Sequence, residues 1–72
     1  MSNFPSLSPK ELIKVLEKKG FILKHIHGSH HYLVHPVSGK IAVVPMHNKD
    51  LAKGTLHAIL KHAGIDKDDI VK

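Results

Sequence analysis

The spacing of apolar residues changes twice along the chain, and each change marks a different kind of secondary structure. Over residues 9–19, apolar side chains recur at the three- and four-residue spacing of a helix that buries one face. Ser8 and Glu11 have the spacing of a capping box, and Gly20 stands where a left-handed residue commonly ends a helix. These signals predict a first helix over residues 9–19.

The middle of the chain is rich in β-branched and aromatic side chains, which favour strands. Gly28-Ser29 is a glycine-first pair suited to a two-residue hairpin, and a second turn signal covers residues 36–39. Pro45 closes the last apolar run because proline lacks a donor for the strand ladder. The pattern predicts a three-stranded antiparallel meander over residues 21–27, 30–35 and 41–44.

The helical spacing then returns, and it predicts a second helix over residues 53–63 that ends at Gly64. A further helical turn over residues 66–70, with Asp66 as its cap, is also compatible with the sequence. The element order indicates an α+β domain of the order α-β-β-β-α. We expect both helices on one face of the three-stranded sheet, with the opposite face open.

Length and composition limit the chain to one small domain. Seventy-two residues form a single unit, with a predicted core over about residues 8–65. With no cysteine, neither disulfides nor a Cys-based zinc module can add stability. No apolar run approaches the roughly 18 residues of a membrane span, and no signal-peptide pattern is seen. We therefore expect a soluble, cytoplasmic protein with no membrane partner.

The charges are unevenly distributed. Eleven basic residues, all lysine, oppose six acidic ones and leave a formal charge of +5. Residues 18–49 contain no carboxylate at all. Such a stretch should attract polyanions such as nucleic acids, although a lysine-rich surface is also common in small proteins without such a partner.

Histidine is the unusual residue in the composition. Five of the eight histidines lie within residues 25–35. If Gly28-Ser29 is a two-residue turn, His27 pairs with His30 and His25 with Tyr32, and all four side chains project from one face of the sheet. The two remaining histidines of this segment, His31 and His35, then project to the other face.

Three kinds of chemistry compete for this cluster. His25, His27 and His30 could offer imidazoles to zinc, but no nearby carboxylate or cysteine completes such a site. A nucleophilic triad using Ser29 lacks the acid that would orient its base. General acid–base catalysis on an RNA phosphodiester needs only a well-placed imidazole and nearby cations, because RNA carries its own 2′-hydroxyl nucleophile. His30, beside the turn and inside the carboxylate-free stretch, is the best candidate for that role.

RNA binding without catalysis is the alternative function. The element order resembles that of a double-stranded-RNA-binding domain, which reads backbone shape. Phe4, Phe21 and Tyr32 are too few and too dispersed to form a platform on which successive bases stack. Fold alone does not separate a binding module from an enzyme.

Several short motifs follow one another along the chain: Gly20-Phe21, Gly28-Ser29-His30-His31-Tyr32, His35-Pro36, Val44-Pro45-Met46-His47-Asn48-Lys49-Asp50-Leu51, and Gly54-Thr55-Leu56 through Ile59-Leu60-Lys61-His62-Ala63-Gly64. Together they resemble the HicA (YcfA-like) toxin family nearly from end to end. The resemblance implies a double-stranded-RNA-binding-like fold, a toxin that cleaves mRNA without needing a ribosome, and a HicB-type antitoxin protein that binds and masks it.

The resemblance also implies site residues. The catalytic histidine of the family follows the Gly-Ser pair, which makes it His30 here, and no cofactor is implied. Asn48 and Asp50 are expected mainly to organise the loop before the second helix. Many relatives place arginine or glutamine and a lysine before the Gly-Ser pair, where this chain has His25, Ile26 and His27. With no arginine available, the residues expected to bind RNA are Lys24, Gly28, Ser29, Lys40 and Lys49.

Overall fold

A computed structural model describes residues 6–47 and 49–66. Its elements follow in the predicted order: α1 (Pro9–Lys18), β1 (Ile22–His27), β2 (His30–Val34), β3 (Ile41–Pro45) and α2 (Lys53–Ala63). The α-β-β-β-α order is confirmed, with boundaries within one residue of those predicted. The predicted role of Asn48 and the possible turn beyond Asp66 concern residues outside those described.

Helix α1 begins at the capping box that the sequence predicts. The Ser8 hydroxyl accepts a hydrogen bond from the Glu11 backbone N–H at 3.2 Å, and the Glu11 carboxylate accepts one from the Ser8 N–H at 2.9 Å. Two donors that the first helical turn would otherwise leave free are thereby satisfied. The helix places Leu12 and Leu16 in the core, where both are fully buried.

Helix α2 starts without a side-chain cap, since Ala52 occupies its N-cap. Its stability therefore depends on its buried stripe and on its end. Gly64 adopts the left-handed conformation at φ 72°, and its N–H donates back to the Lys61 carbonyl at 3.2 Å. The stripe consists of four buried residues that recur at the helical spacing: Leu56, Ile59, Leu60 and Ala63.

The three strands form one antiparallel sheet in the order β1-β2-β3. Side chains alternate between its faces, and Leu33, Ala42 and Val44 point into the core formed with both helices. Both helices therefore lie on one face, as predicted.

The two helices leave part of that face uncovered. Both pack mainly against β3, and every residue of β1 is exposed. Leu23 and Ile26, which pair with Leu33 and His31 on that face, are each about half exposed as a result. Ile22 is also about half exposed, but it pairs with Val34 and lies on the open face. A bulge at Lys24 interrupts the pairing of β1 with β2. Two short helices of ten and eleven residues span only part of a three-stranded sheet, so the strand farthest from them remains open on both faces.

Candidate active site

The hairpin between β1 and β2 has the predicted two-residue turn. Gly28 adopts φ 61°, while no non-glycine residue among those described has a positive φ. A positive φ at the first turn position alone matches a type II′ turn, which suits the twist of antiparallel strands. The Ser29 carbonyl accepts a hydrogen bond of 2.6 Å from the Met46 N–H, so the turn is also attached to the end of β3.

His30 is exposed at the first position of β2. It pairs with His27 on one side and with Pro45 on the other. Because side chains alternate along a strand, His30 lies on the face opposite the buried Leu33. Its imidazole is therefore directed to the open face, where a large ligand can reach it.

The second predicted pair on this face forms a stacked contact. His25 pairs with Tyr32, and their rings are 4.5 Å apart between centroids and inclined by only 17°. The sequence predicts that the two residues are opposite each other but not that their rings stack. The stacked rings give the open face a flat aromatic surface that lies two residues along each strand from His27 and His30.

The other two histidines of the segment lie on the helix-covered side, as predicted. His31 is half-buried opposite Val44, and its Nδ1 atom is buried without a hydrogen-bond partner in the described part of the chain. His35 packs edge-on against the buried Phe21, with ring centroids 5.2 Å apart and planes at 85°. The cluster is thus divided between a ligand-accessible face and the protein interior.

His35 has a structural role that the sequence reasoning missed. Its Nδ1 accepts hydrogen bonds from the backbone N–H groups of Val37 and Ser38, at 3.1 and 3.2 Å. Its carbonyl also accepts from the Gly39 N–H at 2.8 Å. The signal was present in the sequence, because a side-chain acceptor just before a Pro-X-Ser-Gly turn can bond the backbone two and three residues later.

The three lysines expected to bind RNA lie in different places. Lys24 is exposed at the β1 bulge, three residues and about 10 Å of strand from His27. Lys49 lies at the end of the sheet that carries His30, where it lines a groove together with Pro45 and His47. The structure therefore brings Lys49 to the same end as His30 and leaves Lys24 at an intermediate distance.

Lys40 lies at the other end of the sheet. It precedes Ile41, which pairs with Val34, whereas Pro45 pairs with His30. The four residue steps between Ile41 and Pro45 correspond to about 14 Å of strand. The aliphatic part of Lys40 lies over Gly64 at the end of α2. A phosphate bound by Lys40 would belong to a different nucleotide from one held beside His30.

The described residues contain no group of three or more histidine, cysteine, aspartate or glutamate side chains that could hold a metal ion. His25, which the zinc alternative required, is instead stacked on Tyr32. Asp50, the first acidic residue after the carboxylate-free stretch, lies in the groove with Lys49 and His47. Neither β1 nor β3, the strands on either side of β2, contains a carboxylate, whereas Asp50 places one in the groove at the His30 end.

These features define a small cationic α+β domain of double-stranded-RNA-binding type, with an open sheet face that carries paired histidines. The family model of the HicA toxin of bacterial toxin–antitoxin systems matches residues 9–65 of the 72, so the chain belongs to the HicA toxin family. A comparison with curated proteins gave no match. Within residues 6–47 and 49–66, neither helix is long and apolar enough to cross a membrane.

Proposed function

We propose that this HicA-family toxin is an mRNA interferase, a metal-independent endoribonuclease in which His30 acts as a general acid or base. The observation that carries the proposal is the exposed imidazole of His30, held beside a glycine turn on the open sheet face, in a stretch of 32 residues, 18–49, without a carboxylate. Cleavage of mRNA would take place in the cytoplasm.

The chemistry needs little from the protein because RNA supplies the nucleophile. A neutral imidazole can accept the proton of the 2′-hydroxyl, and an imidazolium can donate a proton to the leaving 5′-oxygen. Histidine suits either task near neutral pH. Positioned acid–base groups of this kind typically accelerate a reaction by about 10²–10⁴-fold.

Binding of the RNA backbone is assigned to the turn and to the lysines. The backbone of Gly28 and Ser29 can approach a phosphate closely, because glycine presents no side chain there. In this proposal Lys49 holds a phosphate at the His30 end, and Lys24 and Lys40 hold phosphates farther along the RNA backbone. Lysine acts as a point charge, without the two parallel hydrogen bonds that arginine makes with phosphate, so affinity should fall steeply with salt.

The antitoxin partner that the family implies is proposed to be of the HicB type and to cover the open face. A shallow cationic surface can be blocked by a protein that presents acidic groups to it. Co-expression with the product of the neighbouring gene tests this assignment. We expect a stable complex that no longer cleaves RNA, and two proteins that stay separate at micromolar concentration would contradict it.

The decisive experiment compares RNA cleavage by the wild-type protein and by His30→Ala in the presence of EDTA. We expect the wild type to cleave a defined single-stranded RNA and the variant to be at least 10²-fold slower. His62→Ala is the matched control, since His62 is also an exposed histidine but lies on α2, away from the turn.

The possible outcomes separate the alternatives. Equal cleavage by the wild type and His30→Ala would remove His30 from the mechanism. Loss of wild-type cleavage on chelation would favour metal catalysis. RNA binding without cleavage, together with unaffected cell growth on expression, would favour the non-catalytic RNA-binding module.

A further inference from the structure

The two histidines that flank the hairpin turn form a directly opposed pair. His27 is the last residue of β1, His30 is the first of β2, and they are register partners. Cα atoms of directly paired residues in antiparallel strands lie about 4.5–5.5 Å apart, and their side chains share one face. Both residues are exposed, so a single phosphodiester can contact both rings on the open face.

Cleavage of RNA by its own 2′-hydroxyl requires two proton transfers at one phosphate. The 2′-oxygen forms a bond to phosphorus while the bond from phosphorus to the 5′-oxygen breaks. A base takes the proton from the 2′-hydroxyl, and an acid gives a proton to the departing 5′-oxygen. The products are a 2′,3′-cyclic phosphate and a 5′-hydroxyl end, with no net change in protons. One imidazole performs one of these transfers at a time.

We propose that His27 is the second acid–base residue and that His27 and His30 share the two transfers, one neutral and the other protonated. This inference rests on the proposed ribonuclease function. It follows from the register of the hairpin, which opposes the two rings across the turn. Attachment of the turn to β3 through the Met46 to Ser29 hydrogen bond keeps the pair in place.

The surroundings of His27 leave its ring available for this role. On its own strand the neighbour on the same face is His25, and across on β2 the diagonal neighbour is Tyr32, whose ring is stacked on that of His25. Lys24 is the nearest lysine along β1. No helix packs substantially against β1 in the described residues. No carboxylate lies on either strand of the hairpin. The groove at the same end of the sheet contributes His47, Lys49 and Asp50.

The pH dependence of cleavage tests the pair. For the wild type we expect a bell-shaped profile of kcat/KM with two limbs, one for the base and one for the acid. His27→Ala should lower kcat by at least 10²-fold and remove one limb, and His30→Ala should remove the other. In His27→Lys the introduced lysine keeps a positive charge but does not lose its proton between about pH 5 and 8. This variant should therefore also lack the limb that His27→Ala removes.

A substrate with sulfur in place of the bridging 5′-oxygen identifies which ring is the acid. A thiolate leaves without needing a proton, so the variant that lacks the acid should recover most of its lost rate on this substrate. The variant that lacks the base should not. Recovery of one of the two alanine variants supports the pair, and recovery of both or of neither contradicts it.

The result that would overturn the inference is a His27 variant with both limbs intact. In that case a raised KM with unchanged kcat, restored by His27→Lys, would show that His27 only attracts phosphate. That outcome leaves the proposed function standing if His30→Ala is still inactive. Equal cleavage by His30→Ala and wild type would instead contradict the proposed function itself. His62→Gln should retain both limbs and serves as the control.

Discussion

His30 is the first residue of β2 and His35 directly follows its last residue, so the same kind of side chain meets different surroundings at the two ends of the strand. The His35 ring accepts two backbone hydrogen bonds through Nδ1 and packs against Phe21. The His30 ring is exposed beside the Gly28-Ser29 turn. An imidazole nitrogen that accepts two backbone hydrogen bonds is occupied within the turn, whereas an exposed imidazole is accessible to a ligand. The comparison separates a structural histidine from a candidate catalytic one.

Among substitutions in β2, we expect the largest loss of stability at Leu33, which lies between His30 and His35. This side chain is fully buried in the core. Leu33→Ala should lower the free energy of unfolding by about 2–5 kcal/mol, because it removes packed atoms and leaves a cavity. Ile26→Ala on the exposed β1 strand is the control and should cost clearly less. Urea denaturation measures both, and equal losses would contradict the assignment of β1 to the exposed region.

Gly20 lies near the His35 end of β2 and Gly28 near the His30 end, and the two glycines differ in how much space a side chain would have. Gly20 has φ 97°, and a Cβ there would lie 2.9 Å from His35 Nε2. Gly28 has φ 61°, but a Cβ would meet nothing within 4 Å. Each change to alanine carries a backbone cost of about 1–2 kcal/mol, and Gly20→Ala must also displace the His35 ring. Thermal unfolding should therefore show Gly20→Ala as the less stable variant, and the reverse order would be inconsistent with this contact.

His35→Ala should lower stability while His30→Ala leaves it nearly unchanged. The first variant loses the acceptor of the Val37 and Ser38 N–H groups and the edge contact with Phe21, which together contribute about 1–2 kcal/mol. The second removes an exposed ring, so the change should stay within about 0.5 kcal/mol. Chemical denaturation of both variants provides the comparison. Similar losses would mean that His30 is also part of the structural framework.

The smallest expected effect concerns the lysines at the two ends. Lys49→Ala, at the His30 end, should weaken binding of a short RNA a few-fold and reduce the dependence of log Kd on log salt by about one unit. Lys40→Ala, at the His35 end, should change binding of the same short RNA less. Fluorescence titrations at several salt concentrations measure both. A larger effect at Lys40 would place the RNA path along the opposite end of the sheet.

The secondary structure was predictable because its signals are local. Capping at Ser8 and Glu11, the left-handed glycine after α2 and the Gly28-Ser29 turn each depend on neighbouring residues, and all three are found in the structure. The opposition of His27 and His30 was predictable for the same reason, since a two-residue turn determines the register of a hairpin. The family resemblance agrees with the match over residues 9–65.

Tertiary packing decided the features that depend on distant parts of the chain. The strand that the helices leave open and the position of the Lys40 side chain over Gly64 follow from contacts between α2, β3 and the loops. Turn and cap signals act over a few residues, whereas the sharing of one sheet face between two short helices depends on how the whole core packs. By itself the sequence determined the hairpin that opposes His27 and His30. The packed fold decided that this hairpin stays exposed, because the helices lie over the other edge of the sheet.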